Sequence, residues 1–247
     1  MLQEERQNII INQINLHHKV LTTDLSKLLN VSLDTVRRDL HELEESGRIV
    51  KVHGGAVSKS FHLPFQQPQV YAREEKKEIA YKALGLFKEG MNVLMGGGTI
   101  MLELARIIPK NHKGTVFTVS PLVALEIAQR STIRVILIGG EVSHDAYVCT
   151  GPTVISQLSE LRVDLSFIGA NGLSVKDGLT DNDWDVMQVK KALMKASDKT
   201  AVLSISEKLD TTQKMQVSPL RSFECIITEL SPNDKRLQKY AKVTKVV

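Results

Sequence analysis

Apolar positions recur at helical spacing in three short stretches near the start of the chain. Residues 3–16 predict a first helix, and TDLSKLLN, with three leucines on one side, predicts a second helix that ends at Asn30. Ser32 follows after a single intervening residue and is a strong N-cap for a third helix that runs to about Glu45. Two helices joined by so short a turn are typical of a helix-turn-helix.

The third helix is amphipathic. We expect its buried face to consist of Leu33, Val36, Leu40 and Leu43. The residues left facing outward are Asp34, Thr35, Arg37, Arg38, His41 and Glu42. A polar, cationic N-terminal half on the second helix of the pair suits docking in the major groove of DNA.

An alternating stretch follows the helical pair. Arg48–His53 predicts a strand, and Lys19–Leu21 is expected to pair with it, which would complete a winged helix. The side chains on this strand would flank the DNA backbone while those of the third helix approach base edges or phosphates. The candidate DNA-binding residues are Ser32, Thr35, Arg37, Arg38, Arg48 and Lys51. The alternative is a helical hairpin with a solvated charged face.

The remainder of the chain reads as a separate α/β domain. Residues 58–72 contain Pro64 and Pro68 and lack a sustained period, so we expect a linker there. The predicted domains are therefore a winged helix-turn-helix over residues 1–57 and an effector and oligomerisation domain over residues 73–247. In the larger domain an apolar strand, a Gly or Ser turn and a helix follow one another repeatedly, which predicts a doubly wound, mostly parallel sheet.

Loops after parallel strands gather at one edge of such a sheet, where ligands bind. The loop residues expected there are Gly97, Gly98, Thr99, Ser120, Gly139, Gly140, Glu141, Gly169, Asn171 and Gly172. Lys208 follows a further strand and could supply a countercharge. Glycines permit close backbone approach and helix N-termini favour anions, which indicates a pocket for a small phosphorylated polyol. Taken singly, each loop is more typical of a tight turn than of a phosphate site. Arg73–Glu78, Lys190 and Lys191 are expected to face solvent.

Composition and charge restrict the number of domains and the way in which the chain could bind DNA. With 247 residues, 42% of them apolar, the chain can hold two domains with buried cores. The net charge of +4 permits an anionic partner, but residues 1–57 hold seven Lys/Arg and eight Asp/Glu. DNA binding by this segment must therefore depend on where its cations lie.

The sequence predicts neither export nor a metal. We find no signal-peptide pattern or membrane-spanning stretch and expect a cytoplasmic protein with no membrane partner. Cys149 and Cys225 lack metal-ligand spacing and are expected to be reduced core residues. No cofactor, zinc ion or disulfide is expected.

The segment VSLDTVRRDLHELEESGRIVKVHGGA resembles the N-terminal signature of the DeoR family of bacterial transcription regulators. The matching residues are Ser32, Thr35, Arg37, Arg38, Asp39, Leu40, Leu43, Glu44, Gly47, His53, Gly54, Gly55 and Ala56. The resemblance implies a C-terminal sensor domain similar to ribose-phosphate isomerase that responds to phosphorylated sugars. The segments IGGE, FIGANGLSVKDGLT and QVKKALM look like landmarks of that domain.

Three loops depart from the family pattern. Gly96–Ile100 stands where the family has Asp-Ser-Gly-Thr-Thr, Val119-Ser120 replaces Thr-Asn, and Ile205–Leu209 replaces Asp-Ser-Ser-Lys-Phe. These changes keep Lys208 and the backbone amides but remove carboxylate and hydroxyl groups. The effector is therefore expected to differ from the usual one or to bind weakly.

The leading hypothesis is a repressor of a carbohydrate-metabolism operon that is relieved by a phosphorylated sugar. Its partners would be operator DNA, the sugar effector and further copies in a homodimer or homotetramer. One alternative is a DNA-binding protein whose large domain only oligomerises. The other is a sugar-phosphate isomerase, for which the eligible general bases are Glu141, Asp181, Asp183 and Asp185. No His–carboxylate pair or nucleophile stands out, so we expect no enzymatic activity.

Overall fold

The computed structural model describes residues 1–17, 19–58 and 72–247. The chain divides into two compact units, Met1–Tyr71 and Ala72–Val247. Residues 59–71 of the predicted linker lie outside the described residues. Each unit is considered by itself below.

In its described residues, 1–17 and 19–58, the first unit contains three helices and three short strands. They are α1 (Gln3–His17), β1 (Lys19–Leu21), α2 (Thr22–Leu29), α3 (Leu33–Glu45), β2 (Ile49–Val52) and β3 (Gly55–Ser58). Asn30 adopts a left-handed conformation, φ 52°, that ends α2. The Ser32 hydroxyl accepts a hydrogen bond from the backbone N–H of Thr35 at 3.1 Å, which confirms the predicted N-cap of α3. Apolar side chains from all three helices form one core, which includes Ile10, Ile14, Leu25, Leu29, Val36, Leu40, Leu43 and Ile49.

Leu33 was expected in this core but is 40% exposed. It lies seven residues before Leu40, so the periodicity assigned it to the buried stripe. As the first residue of α3, however, its side chain points back beyond the start of the helix, where no preceding turn lies beneath it. The prediction for Leu33 was wrong for this reason.

The predicted strand pairing in the wing was also wrong. The sheet order is β1-β3-β2, so Lys19–Leu21 pairs with Gly55–Ser58, and β2 pairs with the other side of β3. Strand β3, Gly55–Ser58, is too short and has too few apolar residues for the sequence to predict it. A Cβ on Gly55 would lie 1.9 Å from the Val20 carbonyl oxygen, so only glycine allows the two strands to approach this closely.

The second unit is a three-layer α/β structure. Its helices are α4 (Arg73–Leu84), α5 (Thr99–Ile107), α6 (Pro121–Arg130), α7 (Pro152–Ser159), α8 (Trp184–Lys195) and α9 (Gln238–Ala241). The strands of its main sheet are β4 (Asn92–Met95), β5 (Thr115–Thr118), β6 (Arg134–Leu137), β9 (Val163–Gly169), β12 (Ser197–Leu203), β14 (Cys225–Ile227) and β15 (Lys245–Val246). The smaller strands are β7 (Glu141–Val142), β8 (Cys149–Thr150), β10 (Gly172–Ser174), β11 (Gly178–Asp181) and β13 (Met215–Ser218).

The main sheet is parallel throughout, in the order β15-β14-β12-β9-β4-β5-β6. This confirms the predicted doubly wound fold. Strand order reverses between β4 and β9, which are neighbours in the sheet although about seventy residues separate them in the chain. Such a reversal opens a crevice at the carboxyl ends of the two strands.

The central strands are apolar on both faces because helices cover both. Alternate residues, including Leu94, Ile168 and Val202, pack in one cluster with side chains of α7 and α8. Helices α4 and α5 contact β9, β12 and β14 outside that cluster. Within the described ranges no helix is long and apolar enough to cross a bilayer.

Candidate nucleic-acid interface and anion site

Charge is segregated along α3. Arg37 and Arg38 are exposed in its N-terminal half, whereas Glu42, Glu44 and Glu45 occupy its last turns. The N-terminal end of a helix also carries the positive end of the macrodipole. An anionic surface would therefore be attracted to the first two turns of α3 and repelled by its C-terminal end.

A buried ion pair holds α3 against α1. Arg6 Nη2 donates to Asp39 Oδ1 at 2.8 Å, and Arg6 Nε donates to Asp39 Oδ2. The hydrogen bond to Asp39 raises the pKa of the Arg6 guanidinium, although burial opposes the shift. The Arg-Arg-Asp stretch of the motif therefore divides into two outward arginines and an inward aspartate that fixes the helix. Sequence reasoning missed this pair.

The predicted DNA-binding arginines differ in their surroundings. Arg37 Nη1 donates to Asp34 Oδ1 at 2.9 Å, and both side chains are exposed. Arg38 forms no ion pair with the part of the chain that the structure describes. Arg48, just before β2, donates to Asn8 Oδ1 at 3.4 Å. All three guanidinium groups lie at the surface, where a duplex could reach them.

The other three candidates have local partners. Ser32 and Thr35 cap α3, and their hydroxyl oxygens are 2.9 Å apart. The backbone N–H of Lys51 donates to Glu44 Oε1 at 3.1 Å, and its Nζ lies 3.8 Å from Glu44 Oε2. Ser32 and Thr35 therefore have a structural role in addition to any contact with DNA.

In the second unit, the predicted loops follow adjacent strands of the main sheet. Gly97, Gly98 and Thr99 follow β4, Ser120 follows β5, and Gly139, Gly140 and Glu141 follow β6. Gly169 ends β9, Asn171 and Gly172 come next, and Lys208 follows β12 in a single 3-10 turn. Because all these strands are parallel neighbours, their loops share the carboxyl edge of the sheet. Glu141 is exposed on the β7–β8 hairpin at the end of this row.

Five of the six predicted glycines at this edge are of two kinds, whereas a Cβ on the sixth, Gly169, would make an ordinary contact at 3.7 Å with the Gly97 carbonyl oxygen. A Cβ on Gly97, Gly140 or Gly172 would come to 2.2, 2.5 or 2.7 Å from a neighbouring heavy atom. Packing therefore requires glycine at these three positions. A Cβ on Gly98 or Gly139 would meet nothing within 4 Å. Only this second kind leaves backbone open to a ligand.

Ser120 is buried and serves as the N-cap of α6. Its Oγ accepts from the N–H of Val123 at 3.4 Å and donates to the Tyr147 carbonyl at 3.4 Å. Its hydroxyl is thus already engaged within the protein.

Two lysines are buried close to this edge. Lys208 Nζ donates to the Ala170 carbonyl, at the end of β9, at 2.8 Å. Burial, together with the charges of Lys76 and Lys190, lowers the pKa of Lys208 to about 7. Lys76 was expected to face solvent but is buried, and burial lowers its pKa to about 8 despite the opposing charge of Glu103. Lys76 lies three residues before Ile79 on the packed side of α4, which is why it turns inward.

Lys190 was also expected at the surface, and this prediction was wrong as well. Its Nζ lies 2.7 Å from Asp181 Oδ2. Asp181 is fully buried, and its Oδ1 accepts from Asn171 Nδ2 at 3.0 Å. Burial alone would raise the pKa of Asp181, but the Lys190 ammonium and these hydrogen bonds outweigh it and lower the pKa. Asp181 is therefore an ionised partner of Lys190.

We call Lys76, Lys190 and Lys208 the lysine cluster. Their charges influence one another, and Lys190 is paired with Asp181 while Glu103, Glu75 and Glu207 act on Lys76. Burial makes the Lys76 and Lys208 ammonium groups costly to charge unless an anion compensates them. The arrangement at the crevice between β4 and β9 is suited to bind an anionic group.

Comparison with known proteins assigns a family to each unit. The DeoR-like helix-turn-helix domain matches residues 6–61, and the DeoR C-terminal sensor domain matches residues 72–230. The transcriptional regulator GolR of Listeria innocua is 31% identical over 97% of this chain and 96% of its own length. The transcriptional repressor GlcR of Bacillus subtilis is 30% identical over 94% of this chain and 91% of its own length. The lactose phosphotransferase system repressor of Streptococcus mutans is 32% identical over 100% of this chain and 100% of its own length.

Among solved structures, ribose 5-phosphate isomerase A of Methanocaldococcus jannaschii is 19% identical, covers 54% of this chain and 53% of its own, and has a TM-score of 0.40. The eIF2B beta subunit of Chaetomium thermophilum is 14% identical, with 70% and 54% covered and a TM-score of 0.45.

Proposed function

Because this chain belongs to the DeoR family of helix-turn-helix transcriptional regulators, we propose that it represses a carbohydrate-metabolism operon in the cytoplasm and releases its operator when a phosphorylated sugar binds the larger unit. Two of the relatives above are named repressors, and one of those names refers to the lactose phosphotransferase system. The proposal has a DNA-binding part and a sensing part, which rest on different residues.

The DNA-binding part rests on α3. The buried Arg6–Asp39 pair and the leucines on the same packed side fix the helix, so Arg37 and Arg38 are held outward in its first two turns. A rigid helix with cations at its N-terminal half fits the major groove, where arginine reads guanine edges or binds phosphates. Arg48 and Lys51 are proposed to bind the DNA backbone beside the groove.

The sensing part rests on the lysine cluster, which is the single observation that carries it. A phosphate dianion would offset the burial cost of Lys208 and Lys76 by accepting their hydrogen bonds. The open backbone at Gly98, at the N-terminus of α5, lies on the same edge of the sheet. Asn171 and Asp181 are proposed to bind hydroxyl groups of the sugar.

The roles of the carboxylates argue against the isomerase alternative. Asp181 is ionised and paired with Lys190, and Asp183 caps α8 by accepting from the N–H groups of Asp185 and Val186. Glu141 and Asp185 are exposed. Two of the four are thus held by partners within the protein and two lie at the surface, so none is placed as a general base beside a bound sugar. We therefore propose that the sensor binds its ligand without turning it over.

The test combines thermal unfolding with operator release. The full-length protein is screened against sugar phosphates, the matching unphosphorylated sugars and inorganic phosphate. We expect at least one sugar phosphate to raise the melting temperature and, at the same concentration, to dissociate an operator duplex selected from a random DNA pool. Ligand at a hundred times its Kd would stabilise the folded state by about 2.7 kcal/mol.

Two variants locate the effect. Lys208→Met should abolish stabilisation by the sugar phosphate while leaving operator affinity unchanged. Lys191→Met removes a neighbouring lysine of α8 outside the cluster and should behave like the parent. Stabilisation that survives Lys208→Met would rule out the lysine cluster, and no response to any phosphate would favour a large domain that only oligomerises.

A further inference from the structure

Leu33 is an exposed apolar side chain at the start of α3. It follows the N-cap Ser32 directly and lies four residues before Arg37, so both side chains are on adjoining parts of the helix surface. Its exposed fraction is 40%, and its neighbours on the outward side are charged or hydroxyl-bearing. Leu33 is not part of the core of the first unit, so packing does not explain why a leucine stands at this position.

The N-terminal residues of a recognition helix are the ones that reach base edges. The major groove presents donors and acceptors at every base pair but only one apolar group, the C5 methyl of thymine. An exposed leucine beside Arg37 matches that methyl chemically, whereas it can pair with no other group in the groove.

We propose that Leu33 is a specificity-determining residue that contacts the methyl group of one thymine in each operator half-site. The proposal rests on the proposed docking of α3 in the major groove. It adds a preference for thymine that Arg37 and Arg38 cannot supply, since guanidinium groups select guanine or phosphate.

Leu28 provides a matched control within the same unit. It is more exposed than Leu33, at 56%, but it belongs to α2, the first helix of the pair, which crosses the backbone rather than entering the groove. Both leucines can be shortened with little effect on the core.

The experiment uses the full-length protein and an operator duplex selected from a random DNA pool. Each thymine is replaced in turn by uracil, which removes the methyl group and leaves the hydrogen-bonding pattern intact. Burial of one methyl is worth about 0.8 kcal/mol, or roughly a fourfold change in Kd. We expect the affinity of the parent to fall about fourfold when one particular thymine is replaced by uracil. The equivalent thymine in the other half-site should give the same result.

The variants decide whether Leu33 is responsible. Leu33→Ala should bind the thymine and uracil duplexes equally, whereas Leu28→Ala and the apolar Leu33→Met should keep the preference for thymine. Melting curves verify that each variant is folded, and Leu33→Ser, which should also lose the preference for thymine, repeats the test if Leu33→Ala does not fold. A preference for thymine that persists in folded Leu33→Ala, or its absence in the parent, overturns the proposal.

Failure of the underlying function gives a different result. If no duplex is enriched from the pool, the DNA-binding proposal fails before the thymine series begins. If a duplex is enriched but shows no methyl effect, only the inference about Leu33 fails.

Discussion

At the scale of single residues, Asp39 is the side chain on which the DNA-binding unit most depends. It is fully buried, and Arg6 is its ion-pair partner. Removing one member of a buried pair leaves the other charged and unsatisfied, which costs more than the pair itself contributes.

We therefore predict that Asp39→Ala lowers the free energy of unfolding of the first unit by about 3 to 5 kcal/mol. Asp34→Ala is the matched control, because it removes an exposed aspartate paired with Arg37 and should cost at most about 0.5 kcal/mol. Urea titration followed by circular dichroism measures the loss. Fluorescence of Trp184, the single tryptophan, follows the second unit separately.

Equal urea concentrations at the unfolding midpoint for Asp39→Ala and Asp34→Ala would show that the buried pair does not hold α3 in place. The double variant Arg6→Met with Asp39→Leu supplies a further check. It removes both charges together and should be more stable than Asp39→Ala.

The lysine cluster predicts how effector affinity depends on pH. The pKa of Lys208 is lowered to about 7 and that of Lys76 to about 8, so both lose their protons as pH rises from 7 to 9. An anion binds the protonated lysines, and binding should raise their pKa values and take up protons. We expect affinity for a sugar phosphate to be highest near pH 7 and to fall above it by up to about tenfold per pH unit for each lysine that must be protonated on binding.

Calorimetry in buffers of different ionisation enthalpy measures this proton uptake directly. For the unliganded protein, the same lowered pKa values make folding stability change with pH in the direction opposite to effector affinity. Its unfolded state binds more protons than the folded one, so stability should increase between about pH 7 and pH 10. An affinity that is constant from pH 7 to 9 would contradict the role given to the cluster.

At the scale of elements, α3 should dominate the salt dependence of operator binding. An arginine that contacts a phosphate contributes about one unit to the slope of log K against log salt, and a base contact instead costs about 1 to 3 kcal/mol at one operator position. We predict that Arg37→Ala and Arg38→Ala each produce one of these two results. Arg162→Ala, which makes the same charge change in the larger unit, should produce neither.

A double Arg37→Ala, Arg38→Ala variant with the parent's affinity at every salt concentration would show that α3 does not enter the groove. Filter binding at four or more salt concentrations is sufficient to separate these cases.

The sequence predicted the helices and the parallel sheet because their apolar positions are regular. The periodicity also contained information that was not used. Arg6 lies four residues before Ile10, and Asp39 lies between Val36 and Leu43 on the packed side of α3. Lys76 and Lys190 occupy equivalent positions on α4 and α8. All four were assigned to solvent or left without a partner on the basis of their charge, and all four are buried or half-buried.

Their partners could not have been predicted from local spacing. Asp39 follows Arg6 by 33 residues, and Lys208 reaches the carbonyl of Ala170 across 38 residues. Strand β3 was missed for a different reason, since Gly55–Ser58 is too short to show apolar alternation and forms a strand only because β1 and β2 lie on either side of it. Contacts between distant segments decided each of these cases.

At the scale of the whole molecule, the small size of the DNA-binding unit implies assembly. One unit with a few phosphate and base contacts would bind weakly, and symmetric half-sites would double those contacts. We predict that the protein forms a homodimer or homotetramer and protects two half-sites whose centres are about 10 base pairs, or a multiple of that, apart.

Sedimentation velocity measures the state of assembly, and hydroxyl-radical footprinting measures the spacing. Inserting five base pairs between the half-sites rotates one of them by about half a turn and should weaken binding, whereas inserting ten should restore part of it. A monomer that protects a single half-site would contradict this prediction.

The reversal of strand order between β4 and β9 has a genetic consequence. The segments that meet at the crevice are encoded far apart, around codons 96–99, 169–172 and 206–208, with codons 76 and 190 contributing from helices. Alleles that repress permanently and ignore inducer should therefore fall in short, widely spaced groups, three of them within a few codons after a strand and two within helices. Alleles that cannot repress should concentrate in the first 58 codons, so the two classes of mutant would separate along the gene.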